Sequence, residues 1–140
     1  MKILLAVDGS ADTKKMLAYL TTHEELLGSN SQLVVLNVQP PIPPRAANFV
    51  GKETVDQFHL AEAEKVLAPV AKFLERHNLS YATQHRVGHA ADEILRTSKK
   101  FKVDLIVMGS HGRRSIGSLL LGSVVQTVLS ASEVPVMVVR

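Results

Sequence analysis

The chain contains no cysteine, so no disulfide framework braces it and no thiol nucleophile works in it. Aromatic residues make up 4% of the 140 positions and the formal net charge is +3, too mild a balance for a nucleic-acid surface. The basic clusters are short: Lys99, Lys100 and Lys102, then Arg113 and Arg114. Long hydrophobic runs are missing as well. Asp8 interrupts the apolar run after Lys2, which therefore reads as neither a signal peptide nor a membrane span. A soluble, cytoplasmic protein with no membrane and no nucleic-acid partner is the expectation.

Several catalytic and binding motifs are absent too. There is no GxGxxG, and although Gly112 to Gly117 has GxxxxG spacing, Ser118 stands where a P-loop needs lysine. That excludes a Walker nucleoside triphosphatase and a usual dinucleotide domain. No GxSxG elbow and no HExxH occurs, and no spacing brings two carboxylates together for acid–base work. His85 and His89 flank Gly88, where a strand gives way to a helix, so they do not share a helical face. His59 and Glu62 have helical spacing, but two ligands are too few for a closed zinc site, and they read as a solvated pair. No catalytic residue is nominated.

What the chain does have is alternation. Apolar runs at Ile3–Val7, Leu33–Val38, Tyr81–Val87, Leu105–Met108 and Val136–Val139 alternate with segments of helical period at Asp12–Leu27, Glu53–His77, Ala90–Phe101 and Gly122–Ala131. Right-handed crossovers then build one α/β domain over 1–140: a five-stranded parallel sheet with helices on both faces. A chain of this length buries about two-thirds of its unfolded surface, enough for a real core.

Two stretches are irregular. Gln39 to Gly51 holds Pro40, Pro41, Pro43 and Pro44 without a clear period, and reads as a surface loop, either a lid or a plain connector. The helix at Glu53–His77 carries an apolar stripe of Val55, Phe58, Ala63, Val66, Val70, Phe73 and Leu74. Pro69 interrupts it. An interior proline costs about 3 kcal/mol, so a kink or a restart is expected there.

The chemistry concentrates at Gly109-Ser110-His111-Gly112, which follows the apolar strand 104–108, and at Gly122-Ser123, which opens the next helix. Glycine admits a positive φ and close approach of an anion to the backbone, so three glycines here suggest a nest. The amides at the helix start and the Ser123 hydroxyl would face phosphate oxygens. Taken singly, each glycine is also explained by a strand end, a turn or close packing. His111 is either a donor to ribose or phosphate or an exposed loop residue. Asp8, ending the first strand before an N-cap at Ser10, either caps the helix or forms a turn, or else meets a ribose hydroxyl or a phosphate-bound Mg²⁺. The proline-rich loop follows the second strand, so it and the glycine loop border one crevice at the strands' carboxyl ends.

The spacing GxxG, nine residues, then G[ST] at Gly109, Gly112, Gly122 and Ser123 resembles the nucleotide-binding members of the universal stress protein family. The resemblance covers the whole chain, from Lys2-Ile3-Leu4-Leu5-Ala6-Val7-Asp8-Gly9-Ser10 to Val134-Pro135-Val136-Met137-Val138-Val139. It implies a Rossmann-like fold of the adenine nucleotide alpha hydrolase type. It also implies an ATP site, or one for ADP or AMP with Mg²⁺ accompanying the nucleotide. Carried over by position, the site is Ala6, Val7 and Asp8, then Val38, then Met108, Gly109, His111 and Gly112, then Gly122, Ser123 and Val124. Asp8 would be the contact to nucleotide-bound Mg²⁺. Two departures stand out. Asn37 replaces a histidine common before the valine, and Val124-Val125-Gln126 lacks a hydroxyl that would add a phosphate contact.

Asp8 is the sole acidic candidate near the phosphates, and only Arg113 or Arg114 is available for charge stabilisation. Binding with slow hydrolysis or none follows, in a stress-response or signalling role. Two alternatives stay open: a ligand-free dimeric interaction protein, and an ATP-dependent activating enzyme, since Asp8-Gly9-Ser10-Ala11-Asp12-Thr13 faintly resembles the SGGxDS loop of ATP pyrophosphatases. The last strand, apolar on both faces, would expose unpaired amides as an edge. The resemblance implies a homodimer through Val136–Val139.

Overall fold

The computed structural model describes residues 1–112 and 120–140. The strands are β1 (Lys2–Ala6), β2 (Gln32–Gln39), β3 (Ser80–Val87), β4 (Leu105–Gly109) and β5 (Val136–Val139). The helices are α1 (Ala11–Thr22), α2 (Pro44–Val50), α3 (Lys52–Arg76), α4 (Ala90–Phe101) and α5 (Ser123–Ala131). All strand pairs are parallel, in the order β3-β2-β1-β4-β5. The chain thus runs outward from β1 through β2 to β3, then returns to lay β4 on the other side of β1. That reversal opens a crevice between the carboxyl ends of β1 and β4.

The central strands are apolar on both sides because both sheet faces are covered. Ile3, Leu5 and Val7 pack with Met16, Leu20, Val70 and Leu74 of α1 and α3. Leu4, on the opposite face, packs with Val34, Leu36, Ile106, Ile94 and Val128, joining β2 and β4 to α4 and α5. Leu5 is fully buried, so Leu5→Ala is expected to lower unfolding free energy by about 2–5 kcal/mol, measurable by urea denaturation. A loss below about 1 kcal/mol would contradict this packing.

The structure departs from the sequence reading in four places. α1 ends at Thr22, and a single 3₁₀ turn at Glu24–Leu26 replaces its expected last turn. The Thr22 hydroxyl donates to Ala18 O at 2.9 Å, and His23 Nδ1 bonds Tyr19 O at 2.9 Å, so side chains take carbonyls the helix would otherwise use. Within the proline-rich stretch lies a helix, α2. Pro44 opens it, where a missing N–H costs nothing and the ring pre-sets φ, and Gly51 at φ 87° ends it.

α3 runs uninterrupted through Pro69, without a restart. Pro69 and Lys65, whose carbonyl loses its partner, both lie on the solvent side of the helix, while Val66, Leu67, Val70 and Leu74 on the other side hold it to the sheet. The phase of the stripe also differs at its start. His59 is buried and Phe58 is half exposed, because His59, not Phe58, continues the line of Ala63, Val66 and Val70. The expected solvated His59–Glu62 pair is therefore absent, and Glu62 pairs with Lys65 at 2.6 Å.

Candidate functional site

At the carboxyl end of β1, Gly9 turns the chain at φ 77° into α1. Asp8 governs that turn: its Oδ1 accepts the Ser10 amide at 2.9 Å and the Thr13 hydroxyl at 3.1 Å. Ser10 is the N-cap residue as expected, yet its hydroxyl makes no capping bond and lies buried without a hydrogen-bond partner. Asp8 thus forms the turn that leads into α1 without capping a helical amide, and its other oxygen faces the glycine loop. A Cβ on Gly112 would lie 2.7 Å from that Oδ2.

The glycines play different parts. Of Gly109, Gly112 and Gly122, only Gly112 has a positive φ, 68°. Gly109 is needed for contact: a Cβ there would meet the Asp12 Cβ at 2.5 Å, so glycine lets α1 close onto β4. Gly122 is backed by loop backbone, a Cβ meeting His111 O at 3.2 Å, and its amide donates to Ser110 O at 2.8 Å. Ser110 and Gly122 are therefore bonded to each other just before α5 begins.

Asp12 holds this loop from the other side. It is 7% exposed, and its Oδ2 accepts the His111 amide at 2.9 Å and the Ser110 hydroxyl at 3.2 Å. Burial pushes its pKa up, but the His111 amide, the Ser110 hydroxyl and the charges of Lys15 and His111 outweigh burial and hold it below the usual aspartate value. A depressed folded-state pKa means the contribution to stability is present above the unfolded-state pKa and fades as pH falls through the folded one.

These elements enclose a cavity of about 600 Å³. Ala6, Val7 and Asp8 line it from β1 and its turn, and Val38 from β2. Met108, Gly109, His111 and Gly112 line it from β4 and the loop, and Gly122, Ser123 and Val124 from the start of α5. Every site residue anticipated from the sequence thus meets in one cavity, at the reversal of strand order. Pro40 and Pro41 border it too, so the proline-rich stretch and the glycine loop do share a crevice. Arg113 and Arg114 lie outside the described residues.

The sequence reading missed Asp12, Thr13 and the turn after β3, where Gly88, His89 and Ala90 complete the wall with Ile94. The signal for the latter was available, since β3 ends at the same rim. For Asp12 it was not. Asp8 is consequently not the sole carboxylate at the site. Asn37, the departure from the expected histidine, is buried and donates through Nδ2 to Val7 O at 2.9 Å, while Gln39 donates to its Oδ1 at 2.7 Å. It ties β2 to the residue before Asp8. Among the described residues no group of three or more His, Asp or Glu side chains is placed to hold a metal ion.

The model of the universal stress protein family matches residues 1–140. The chain belongs to that family. A universal stress protein of Thermus aquaticus is 33% identical over 140 residues, covering 99% of this chain and 97% of its own. Universal stress protein Slr1230 of Synechocystis is 31% identical over 139 residues, of which this chain spans 99% of its own length but only 42% of the relative. The fold matches universal stress protein UspA of Lactobacillus plantarum at TM-score 0.82 and 22% identity, over 100% of this chain and 97% of that one. It also matches a universal stress protein of Archaeoglobus fulgidus in complex with dAMP, at TM-score 0.71 and 20% identity, over 100% and 98% of the chains. A family member from Arabidopsis thaliana with AMP bound matches at TM-score 0.71 and 17% identity, over 99% and 90%. These universal stress protein structures share the five-stranded parallel architecture described above. No helix among the described residues is long and apolar enough to cross a membrane.

Proposed function

We propose that this universal stress protein binds an adenine nucleotide in the cavity between β1 and β4, ATP foremost, with ADP or AMP as alternatives. The observation that carries the reading is the convergence of the motif residues on one cavity of about 600 Å³, within the range of small-molecule sites. The cavity has two characters. Ala6, Val38, Pro40, Ile94 and Met108 offer an apolar slot for a base, while Gly112, Gly122 and Ser123 face the phosphate end. The first amides of α5 have no partner within the helix, and its dipole favours an anion there. That relatives of the same fold are complexes with dAMP and AMP supports the same class of ligand here.

Asp8 offers a hard oxygen suited to a nucleotide-bound Mg²⁺, which would screen phosphate charge; the phosphates and water would supply the other ligands. Hydrolysis is slow or absent in this reading, because both carboxylates at the site are engaged as hydrogen-bond acceptors, Asp8 from the Ser10 amide of its own turn and Asp12 from the His111 amide of the glycine loop. The protein acts as a cytoplasmic homodimer in stress response or signalling, with nucleotide occupancy as its variable.

Protein purified without added nucleotide, then denatured and its supernatant resolved by chromatography and mass spectrometry, is expected to release adenine nucleotide near one per chain. Emptied protein is expected to bind Mg²⁺-ATP, with ADP accumulating slowly or not at all. A chain that emerges empty and gives no heat with ATP, ADP or AMP would overturn the reading in favour of an interaction protein.

A further inference from the structure

We infer that Asp12 is the positioning residue of the phosphate end of the site: it holds the glycine loop in binding geometry before any ligand arrives. The residue at the centre of the observations lies outside the family motif. Asp12 stands on the first turn of α1, ninety-eight residues from Ser110, yet a single carboxylate oxygen receives both the Ser110 hydroxyl at 3.2 Å and the His111 amide at 2.9 Å. The His111 ring is bound into the same knot, its Nδ1 lying 2.7 Å from Ser110 Oγ and 3.7 Å from Asp12 Oδ2. Gly109 lacks the side chain that would push Asp12 away, since a Cβ there would come within 2.5 Å of the Asp12 Cβ.

A buried carboxylate needs strong partners to remain charged, and an amide donating to an ionised oxygen makes about twice the bond of a neutral pair. The loop therefore gains its anchor from a charge that would be costly to leave unpaired. The arrangement also divides labour among the donors. The His111 amide is committed to Asp12, which leaves the amides opening α5 and the Ser123 hydroxyl to meet phosphate. A loop already held loses little freedom on binding, and the affinity gained is that of preorganisation. Lys15 lies 3.6 Å from Asp12 Oδ1 on the solvent side and balances part of the carboxylate's charge.

The functional half of the inference rests on the nucleotide reading, and the test separates the two. Affinities for AMP and Mg²⁺-ATP are measured by calorimetry for wild type, Asp12→Ala, Asp12→Asn and Ser110→Ala, with circular dichroism melts to establish folding. Asp12→Ala is expected to weaken binding roughly tenfold or more, the loss of one charged hydrogen bond. Asp12→Asn, whose amide oxygen still accepts, should recover part of that loss, and Ser110→Ala should cost less than about threefold because the His111 bond persists. Asp12→Asn also guards against failure of the alanine variant to fold.

The second readout is the His111 backbone amide resonance in ligand-free protein. In wild type it should be protected from exchange and should shift as pH falls through the Asp12 titration, below the usual aspartate range; in Asp12→Asn the titration should vanish. Wild-type affinity in folded Asp12→Ala, or a His111 amide indifferent to Asp12→Asn, would overturn the inference. If wild type bound neither nucleotide, the nucleotide reading would fall, and the His111 amide alone would decide whether Asp12 holds the loop.

Discussion

Gly122→Val is expected to weaken adenine nucleotide binding a hundredfold or more while the protein stays folded. At φ −63° the backbone of Gly122 suits any residue, so strain is not the cause. Space is. The new Cβ would sit 3.2 Å from His111 O and 3.4 Å from Ser110 O, and these are backbone atoms, which cannot swing aside as a side chain would. The loop must shift, and the branched methyls then occupy the cavity mouth at the start of α5. Overpacking of this kind costs about 1–3 kcal/mol of stability, which a domain of this size tolerates, whereas a hundredfold affinity loss is about 2.8 kcal/mol of binding. Gly122→Ala, with one methyl, should fall between. Calorimetry on folded variants decides: an unaltered dissociation constant in Gly122→Val would remove this loop from the site.

Removing the final strand is expected to have the other large effect. β5 pairs with β4 from Ile106↔Val136 to Gly109↔Val139, and Val139 is buried in the core. Truncation after Pro135 thus strips both a sheet edge and part of the packing, and should give insoluble protein or monomer. The gentler variant is Val138→Lys, since a charge on an edge strand discourages edge pairing. For the proposed homodimer, light scattering should read 30.4 kDa in wild type, two chains of 15.2 kDa, and one chain's mass in folded Val138→Lys. A dimer mass that survives this substitution places the interface elsewhere.

The fold was legible because β1, β2 and β4 are nearly continuous apolar runs, a pattern only strands covered on both faces need. α2 was not. Four prolines within five residues of one another outweighed its short period, and only the chain context shows Pro44 serving as a helix start. Pro69 misled for a related reason, since the penalty of an interior proline assumes a carbonyl left dry, and here that side of α3 faces water. His59 and Phe58 exchanged places because adjacent positions on a helix differ by 100° or so, and seven apolar residues define the stripe too loosely to choose between them.

The site divides the same way. Gly109, Gly112, Gly122 and Ser123 announce themselves by spacing, because a loop and the helix it opens are neighbours along the chain. Asp8 and Val38 follow once strands are recognised, since the carboxyl end of a parallel strand is where ligands sit. Local sequence therefore determined the strands, the helices that alternate with them, and the residues standing at the rim. Only the tertiary structure decided that β4 lies against β1, which sets the first turn of α1 against a loop about a hundred residues away. The bond from the His111 amide to Asp12 exists through that placement alone, as does the close approach that makes Gly109 necessary. Strand order is settled by how two apolar faces are best covered, a property of the whole chain that no short window of residues contains.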